Sequence, residues 1–244
     1  MTTIVEDSLT PTKHLNLSII VPVHDEEDIL EEQTLKLVAY VQRLTSEFEV
    51  LLLENGSTDK TANIARKLQE RFSSIRVKNL EKGDYSTAVI EGVKAAKGDY
   101  SIVTGIDYVD LDVLGRCFRA LKDSDVVICS KNKGLDQRSF LSRLTNRCYN
   151  AVVRLFFRLK YSDVEGYHGY NTEKIQTIVA DVETRAHLCN LWILVKARKA
   201  GLRVVEVPFV VYERRRSKFM KISRLPYLAV ISLVEFIKLK CKGY

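Results

Sequence analysis

The chain has 244 residues, with 38 Lys+Arg against 31 Asp+Glu, a formal net charge of +7, 46% hydrophobic and 28% charged residues. That composition excludes global disorder and provides ample material for a packed core in one large domain or two small ones. Eleven Gly and four Pro exclude a collagen-like or linker-rich design.

The charge is unevenly distributed. Residues 1–122 carry 15 basic and 20 acidic side chains, whereas residues 123–244 carry 23 basic and 11 acidic. The second half is therefore expected to meet an anionic partner: nucleic acid, a phosphorylated substrate or a membrane surface. Five cysteines, at 117, 129, 148, 189 and 241, include no C-x-x-C pair. They read as reduced thiols of a cytosolic protein, not as a disulfide or zinc framework. Residues 1–15 read as a polar, flexible leader with no secretory h-region. No apolar stretch reaches the roughly 18–20 residues of a spanning helix, and the longest, Leu225–Ile237, carries Glu235.

In chain order, Leu17–Val23 (LSIIVPV) reads as a buried strand, and Asp28–Ser46 as a helix with Leu30, Thr34, Leu37, Val41 and Leu44 on one face. Phe48–Leu53 is a second strand. It runs into Glu54-Asn55-Gly56-Ser57, after which Ser57 or Thr58 is expected to cap a helix ending at Arg71. A strand at Ile75–Leu80, a helix at Tyr85–Lys97, a strand at Tyr100–Asp107, a helix at Asp112–Lys122 and a strand at Asp125–Ser130 complete a β-α alternation. This order predicts a parallel, doubly wound α/β sheet covered on both faces. Ligands of such sheets lie beyond the carboxyl ends of the strands. The segments to watch are therefore Pro22–Glu26, Glu54–Asp59, Gly105–Asp110 and Ser130–Lys131.

Residues 140–159 read as a long amphipathic helix. At about 100° per residue, Arg143, Arg147, Arg154 and Arg158 fall within one narrow sector, and the stripe has no acidic member. Leu141, Cys148, Val152, Leu155, Phe156 and Leu159 fall on the opposite side. A helix at Leu188–Ala200, a strand at Arg203–Val210, the run Glu213–Lys218 and an apolar, lysine-tipped C-terminal helix follow. Phosphate-loop, dinucleotide-binding, metal-spaced histidine and nucleophile-elbow signatures are all absent from the sequence.

Six ordered blocks carry a resemblance: IIVPVHDEE (19–27), ENGSTDKT (54–61), KGDYSTAVIEGVKAAKGDY (82–100), CSKNKG (129–134), AGLRVVEVP (200–208) and RRRSK (214–218). Together they resemble a family 2 glycosyltransferase of the GT-A fold, in the dolichyl-phosphate mannose synthase-like, polyprenyl-phosphate branch. The apolar helix at 221–244, tipped by Lys238, Lys240 and Lys242, reads as either buried against the domain or lying at a membrane surface, and for residues 16–220 the resemblance implies a Rossmann-like, mostly parallel sheet as one domain. It also implies that Pro22, Val23, Asp25, Glu26, Glu54, Asn55 and Lys131 hold the nucleotide of a nucleoside-diphosphate sugar. In the branch's acceptor helix and the segment after it, Arg143, Arg147, Asn150 and Asp163 match.

Two positions depart from the family pattern. Gly105 stands at the first Asp of the Asp-x-Asp metal motif, leaving Asp107 at the second, with Val109 and Asp110 following. A divalent Mg or Mn ion would rest on Asp107 and Asp110 in an altered geometry, or basic side chains replace it: Lys131, Arg143, Arg214, Arg215, Arg216 and Lys218. Trp192 stands where the branch often has Glu, and residues 186–202 contain no acid. A hydroxyl acceptor needs a base, whereas a phosphate monoester is already an anionic nucleophile.

The expected activity is therefore inverting transfer of a sugar from a nucleoside-diphosphate sugar to a polyprenyl-type lipid phosphate at the cytoplasmic membrane face. Asp107, Arg143, Arg214 and Lys218 are the candidate catalytic groups, and Arg147, Arg215 and Arg216 bind acceptor phosphate. The expected partners are the donor, the lipid phosphate, an anionic membrane surface and a membrane subunit, but not nucleic acid. The alternative is a weakened or inactive relative that binds a sugar nucleotide or a partner subunit.

Overall fold

A computed structural model describes residues 15–81, 84–107, 110–131, 136–180, 182, 188–211, 234, 236–238 and 241. Seven strands form one sheet: β1 (Leu17–Val23), β2 (Phe48–Glu54), β3 (Ile75–Asn79), β4 (Tyr100–Val103), β5 (Val126–Ser130), β6 (Tyr167–Asn171) and β7 (Val204–Pro208), in the spatial order β3-β2-β1-β4-β6-β5-β7. The helices are α1 (Leu30–Leu44), α2 (Thr61–Arg71), α3 (Tyr85–Ala95), α4 (Leu111–Ala120), α5 (Phe140–Phe157), α6 (Thr172–Val179) and α7 (Cys189–Lys199).

The first half follows its sequence closely because β1 and β2 are buried on both faces and read as continuous apolar runs. Ile20, Leu51 and Leu53 pack on one side with α3, α6 and α7 residues. Leu17, Ile19, Val21, Val50 and Leu52 pack on the other, against α1, α2 and α4. At about 1.5–3 kcal/mol for each fully buried aliphatic side chain, these two strands anchor the fold. Glu49 interrupts the apolar run of β2 and is only 2% exposed. Its carboxylate accepts from Ser18 Oγ at 2.7 Å and from the Lys97 amide at 2.8 Å, and pairs with Arg76.

The sheet is mostly parallel but not wholly so. β6 runs antiparallel to both neighbours, β4 and β5. Its sequence, Tyr-His-Gly-Tyr-Asn, has neither an apolar run nor clean alternation, and periodicity alone does not reveal it. Helix α2 also begins differently from expectation. It starts at Thr61, and neither Ser57 nor Thr58 caps it; the Thr61 amide instead donates to Asp59 Oδ1 at 2.8 Å.

Helix α5 lies in an orientation the amphipathic pattern did not indicate. Asn150, Val153 and Phe157 face the core. Arg143, Arg147 and Arg154 are exposed beside that face, and Leu144, Val152, Leu155 and Phe156 point outward. Arg158 is not part of the helix: it closes α5 in the left-handed conformation, with φ 51°. No helix among the described residues is long and apolar enough to cross a membrane.

Candidate active site

The carboxyl ends of β1 and β2 lie side by side, and their loops are tied together by side chain–backbone hydrogen bonds. Asp25 adopts φ 53°, a conformation that costs a non-glycine residue energy and persists only where its surroundings enforce it. Its amide donates to Ser57 Oγ at 3.1 Å, and its Oδ1 accepts from the Thr58 amide at 2.8 Å. The Thr58 amide is the main reason the Asp25 carboxyl sits below its ordinary range. The Glu26 amide donates to Thr61 Oγ1 at 2.8 Å, and the Asn55 amide to the Val23 carbonyl at 3.0 Å. Glu54, 5% exposed, accepts from the Ser57 amide at 2.7 Å. Gly56 makes the turn possible by adopting φ 68°, where a side chain would be strained.

The structure thus brings Pro22, Val23, Asp25, Glu26, Glu54 and Asn55 into one strand-end cradle. The Asp25 carboxylate, and Glu54 in part, are occupied in building it. The Asn55 side-chain oxygen is buried without a hydrogen-bond partner among the described residues, an exception to the pairing of buried polar groups.

Beyond β4, Gly105 and Asp107 face each other across a small space. A Cβ placed on Gly105 would lie 3.0 Å from Asp107 Oδ1 and 3.5 Å from the Tyr167 hydroxyl. Tyr167 comes from β6, and its ring lies 4.7 Å from that of Phe209. Burial above all, then the Asp107 charge, pushes its phenol up. Asp110 is engaged at the start of α4. Its Oδ1 caps α4 by accepting the Val113 amide at 3.2 Å, and its Oδ2 lies 3.8 Å from Arg116.

No group of three or more His, Cys, Asp or Glu able to hold a metal ion occurs among the described residues. With Gly105 carrying no carboxylate and Asp110 engaged in capping, these residues do not fit a two-carboxylate metal site.

Lys131, expected at the nucleotide, is 6% exposed. Its ammonium lies 3.0 Å from Asp163 Oδ2 and donates to the Glu165 carbonyl at 2.8 Å. Asp163 Oδ1 lies 3.4 Å from Asn150 Nδ2, and Asn150 Oδ1 accepts the Val164 amide at 2.8 Å. Lys131, Asp163 and Asn150 therefore lock α5 and the segment after it onto the end of β5.

Two residues the sequence did not single out also belong here. Glu165 is pushed up to about 8, first by burial and then by Asp163, against the opposing pull of Lys131. The Tyr85 phenol is pushed up by burial and by Cys189, Glu165 and Asp107 in turn, so the carboxylates of Glu165 and Asp107 act on the same ring. The signal for Glu165 in the sequence is an acid two residues after Asp163. What hid it was the unrecognised strand β6.

Arg147 and Arg154, one face of α5, line a cavity of about 450 Å³ with Cys148, Asn150, Ala151 and Ser162. Ser162 Oγ lies 2.7 Å from Ser130 Oγ at the end of β5, so this basic cavity opens at the same edge of the sheet. Arg143 is exposed on α5 and is not among the cavity's lining residues. Arg214, Arg215, Arg216 and Lys218, Val109, and most of the C-terminal segment 221–244 lie outside the described residues.

The family model for glycosyl transferase family 2 matches residues 18–178. An undecaprenyl-phosphate 4-deoxy-4-formamido-L-arabinose transferase of Edwardsiella ictaluri is 26% identical over 225 residues, which cover 89% of this chain and 67% of that protein. Glycosyltransferase AglD of Haloferax volcanii is 24% identical over 203 residues, covering 80% of this chain but only 32% of AglD. Among solved structures, glucosyl-3-phosphoglycerate synthase of Mycobacterium tuberculosis, crystallised with Mn²⁺, UDP and glucosyl-3-phosphoglycerate, superposes with a TM-score of 0.68 at 16% identity. The match covers 93% of this chain and 80% of that one, a likeness of fold.

Proposed function

The chain belongs to glycosyl transferase family 2, and from that premise we propose that it transfers a sugar, with inversion, from a nucleoside-diphosphate sugar to a polyprenyl-type lipid phosphate at the cytoplasmic face of a membrane. The observation that carries this reading is the cavity formed by Arg147, Arg154, Asn150 and Ser162 at the strand-end edge. It offers two guanidiniums, whose fork of donors suits phosphate oxygens, on the same edge as the Asn55 cradle. The donor's base and ribose would occupy the Pro22–Glu26 and Glu54–Asn55 loops, with the diphosphate beyond the end of β4, where cations must offset both its charge and that of Asp107. The acceptor phosphate, held by arginine, needs no base: it attacks the anomeric carbon as the nucleoside diphosphate departs from the opposite face. Arg143, Arg214, Arg215, Arg216 and Lys218 are the proposed cations for acceptor and leaving group, where fixed positive charge stabilises developing negative charge.

The relatives named for undecaprenyl-phosphate transfer support the acceptor class. The Mn²⁺ and UDP bound to the synthase of like fold support a nucleotide donor and make a divalent ion the natural additive to test. The chain is incubated with polyprenyl phosphate in vesicles and a panel of UDP- and GDP-sugars, with and without Mg²⁺ or Mn²⁺. A lipid-linked sugar is expected, reduced at least tenfold by Arg147→Ala with Arg154→Ala; absence of lipid-linked product from every donor overturns the reading.

A second reading has one observation in its favour. Gly105 removes a carboxylate from the position facing Asp107, as it would in a relative that binds a sugar nucleotide without turning it over. Ligand-specific thermal stabilisation without product in the same assay is its signature.

A further inference from the structure

Every large apolar side chain that is exposed among the described residues lies on α5 or on the short helical stretch near the C-terminus: Phe140 71%, Leu155 78%, Ile237 54%, Phe156 47%, and Leu144, Val152 and Val234 at 42–45%. The two elements pack together. The Phe236 ring sits edge-on to Phe157 at 5.1 Å and lies 6.2 Å from Phe156 and 6.4 Å from Tyr149. The C-terminal stretch therefore adjoins the last turns of α5, where Phe156 is exposed, and Lys238 in the same stretch is exposed. Monomeric proteins rarely leave large apolar side chains clustered in water without a partner for them.

We propose that this outward face of α5, together with the adjoining Val234 and Ile237, docks the protein onto an anionic lipid bilayer, with the apolar row entering the headgroup–acyl boundary and the arginines at headgroup level. The argument rests on how the helix distributes its residues. Asn150, Val153 and Phe157 face the core, so at about 100° per residue Leu155 points almost directly away from the fold, with Leu144, Cys148 and Val152 around it. Arg143, Arg147 and Arg154 occupy the sector between the apolar row and the core. Residues 140–158 contain no acidic side chain. A merely solvated helix mixes signs on its outer face, and an interface with another protein has no need to exclude acids. An apolar ridge on a helix whose only charged side chains are arginines is complementary to an anionic membrane surface, and long basic side chains reach the headgroups while their stems cover apolar surface.

The cavity lined by Arg147 and Arg154 opens at the edge of this ridge, so docking would present a lipid phosphate to it directly. The inference thus deepens the proposed function and rests on it for the identity of the acceptor, but not for membrane binding itself.

The full chain is mixed with vesicles of phosphatidylcholine alone or with phosphatidylglycerol added, and the bound fraction is measured by flotation. Wild type is expected to bind the anionic vesicles, weakly or not at all the neutral ones, and less tightly as salt rises. Phe140→Ser with Leu155→Ser, which changes the two most exposed residues, is expected to reduce binding to anionic vesicles at least tenfold while the thermal midpoint and the stabilisation by a sugar nucleotide stay as in wild type. Undiminished vesicle binding by this double variant overturns the proposal. So does a wild-type dimer in lipid-free solution that the variant converts to monomer, because a second copy would then be the occupant. Turnover of a short-chain, detergent-soluble polyprenyl phosphate separates the two ideas. Turnover by wild type and variant alike, with no vesicle binding by either, overturns docking and leaves the transferase reading standing. Vesicle binding without turnover does the reverse.

Discussion

The Lys131 ammonium sits 3.0 Å from the Asp163 carboxylate, with the two side chains 7% and 0% exposed, and this buried pair joins the end of β5 to the segment that follows α5. Burial alone would push the Asp163 carboxyl up, but the charge and hydrogen bonds of Lys131 outweigh it and hold the carboxyl below its ordinary range. Removing one partner strands the other charge in the interior. Asp163→Ala is therefore expected to destabilise the protein by about 3–5 kcal/mol, measured as a drop in the urea midpoint. Replacing both partners by apolar residues, Lys131→Met with Asp163→Leu, is expected to recover only the part due to the stranded charge, because the Lys131 and Glu165 amides and Asn150 Nδ2 still lose their acceptor.

Glu165 gives the protein a pH dependence of the opposite sign to an ordinary paired carboxylate. Its carboxyl is pushed from 4.5 up to about 8 by burial. The folded state therefore holds a proton that the unfolded chain has already released. That contribution to stability is fully present below the unfolded value and is lost progressively as pH rises from about 4.5 to about 8. Denaturation midpoints measured across this window should fall with pH for wild type and fall less steeply for Glu165→Gln. Equal slopes would show that Glu165 titrates normally.

Gly105→Asp would place a second carboxylate beside Asp107, where the atoms nearest a Cβ are Asp107 Oδ1 at 3.0 Å and the Tyr167 hydroxyl at 3.5 Å, so the Asp107 side chain must shift by a few tenths of an ångström. Two adjacent carboxylates favour a divalent ion that also bridges a diphosphate. Titration calorimetry with UDP-sugars is expected to show at least a tenfold gain in affinity on adding Mn²⁺ to the variant, about 1.4 kcal/mol, and a smaller gain for wild type. A variant with no such gain would show that the pocket around Asp107 rejects the ion for reasons other than the missing side chain.

Trp192 is 1% exposed in the middle of α7, a helix buried from Cys189 to Ala197. It packs in the core with α3 and α6 residues. Trp192→Ala is expected to cost about 3–5 kcal/mol. Trp192→Glu is expected to unfold the chain because its charge would have no solvent. Far-ultraviolet circular dichroism on heating distinguishes the outcomes: a folded, fully stable Trp192→Glu protein would mean the site opens to water.

The first half of the fold was readable in one dimension because each of its elements carries its own signal. Leu17–Val23 and Phe48–Glu54 are apolar on both faces, so their strands appear as runs, and the turn residues of Glu54–Gly56 mark where the cradle forms. Charge asymmetry and motif order pointed to a nucleotide end and a phosphate end. Three features depended on contacts between distant segments. The strand β6 exists because β4 and β5 on either side supply its hydrogen bonds, not because its sequence favours a strand. The roles of Lys131 and Asp110 depend on Asp163 and the α4 amides that happen to face them. The orientation of α5 depends on Asn150, whose amide serves Asp163 and Val164 inside the fold. That polar anchor turns a helix whose apolar side would otherwise seek the core, so the sequence specifies an amphipathic helix while tertiary hydrogen bonding decides which of its faces is left outside.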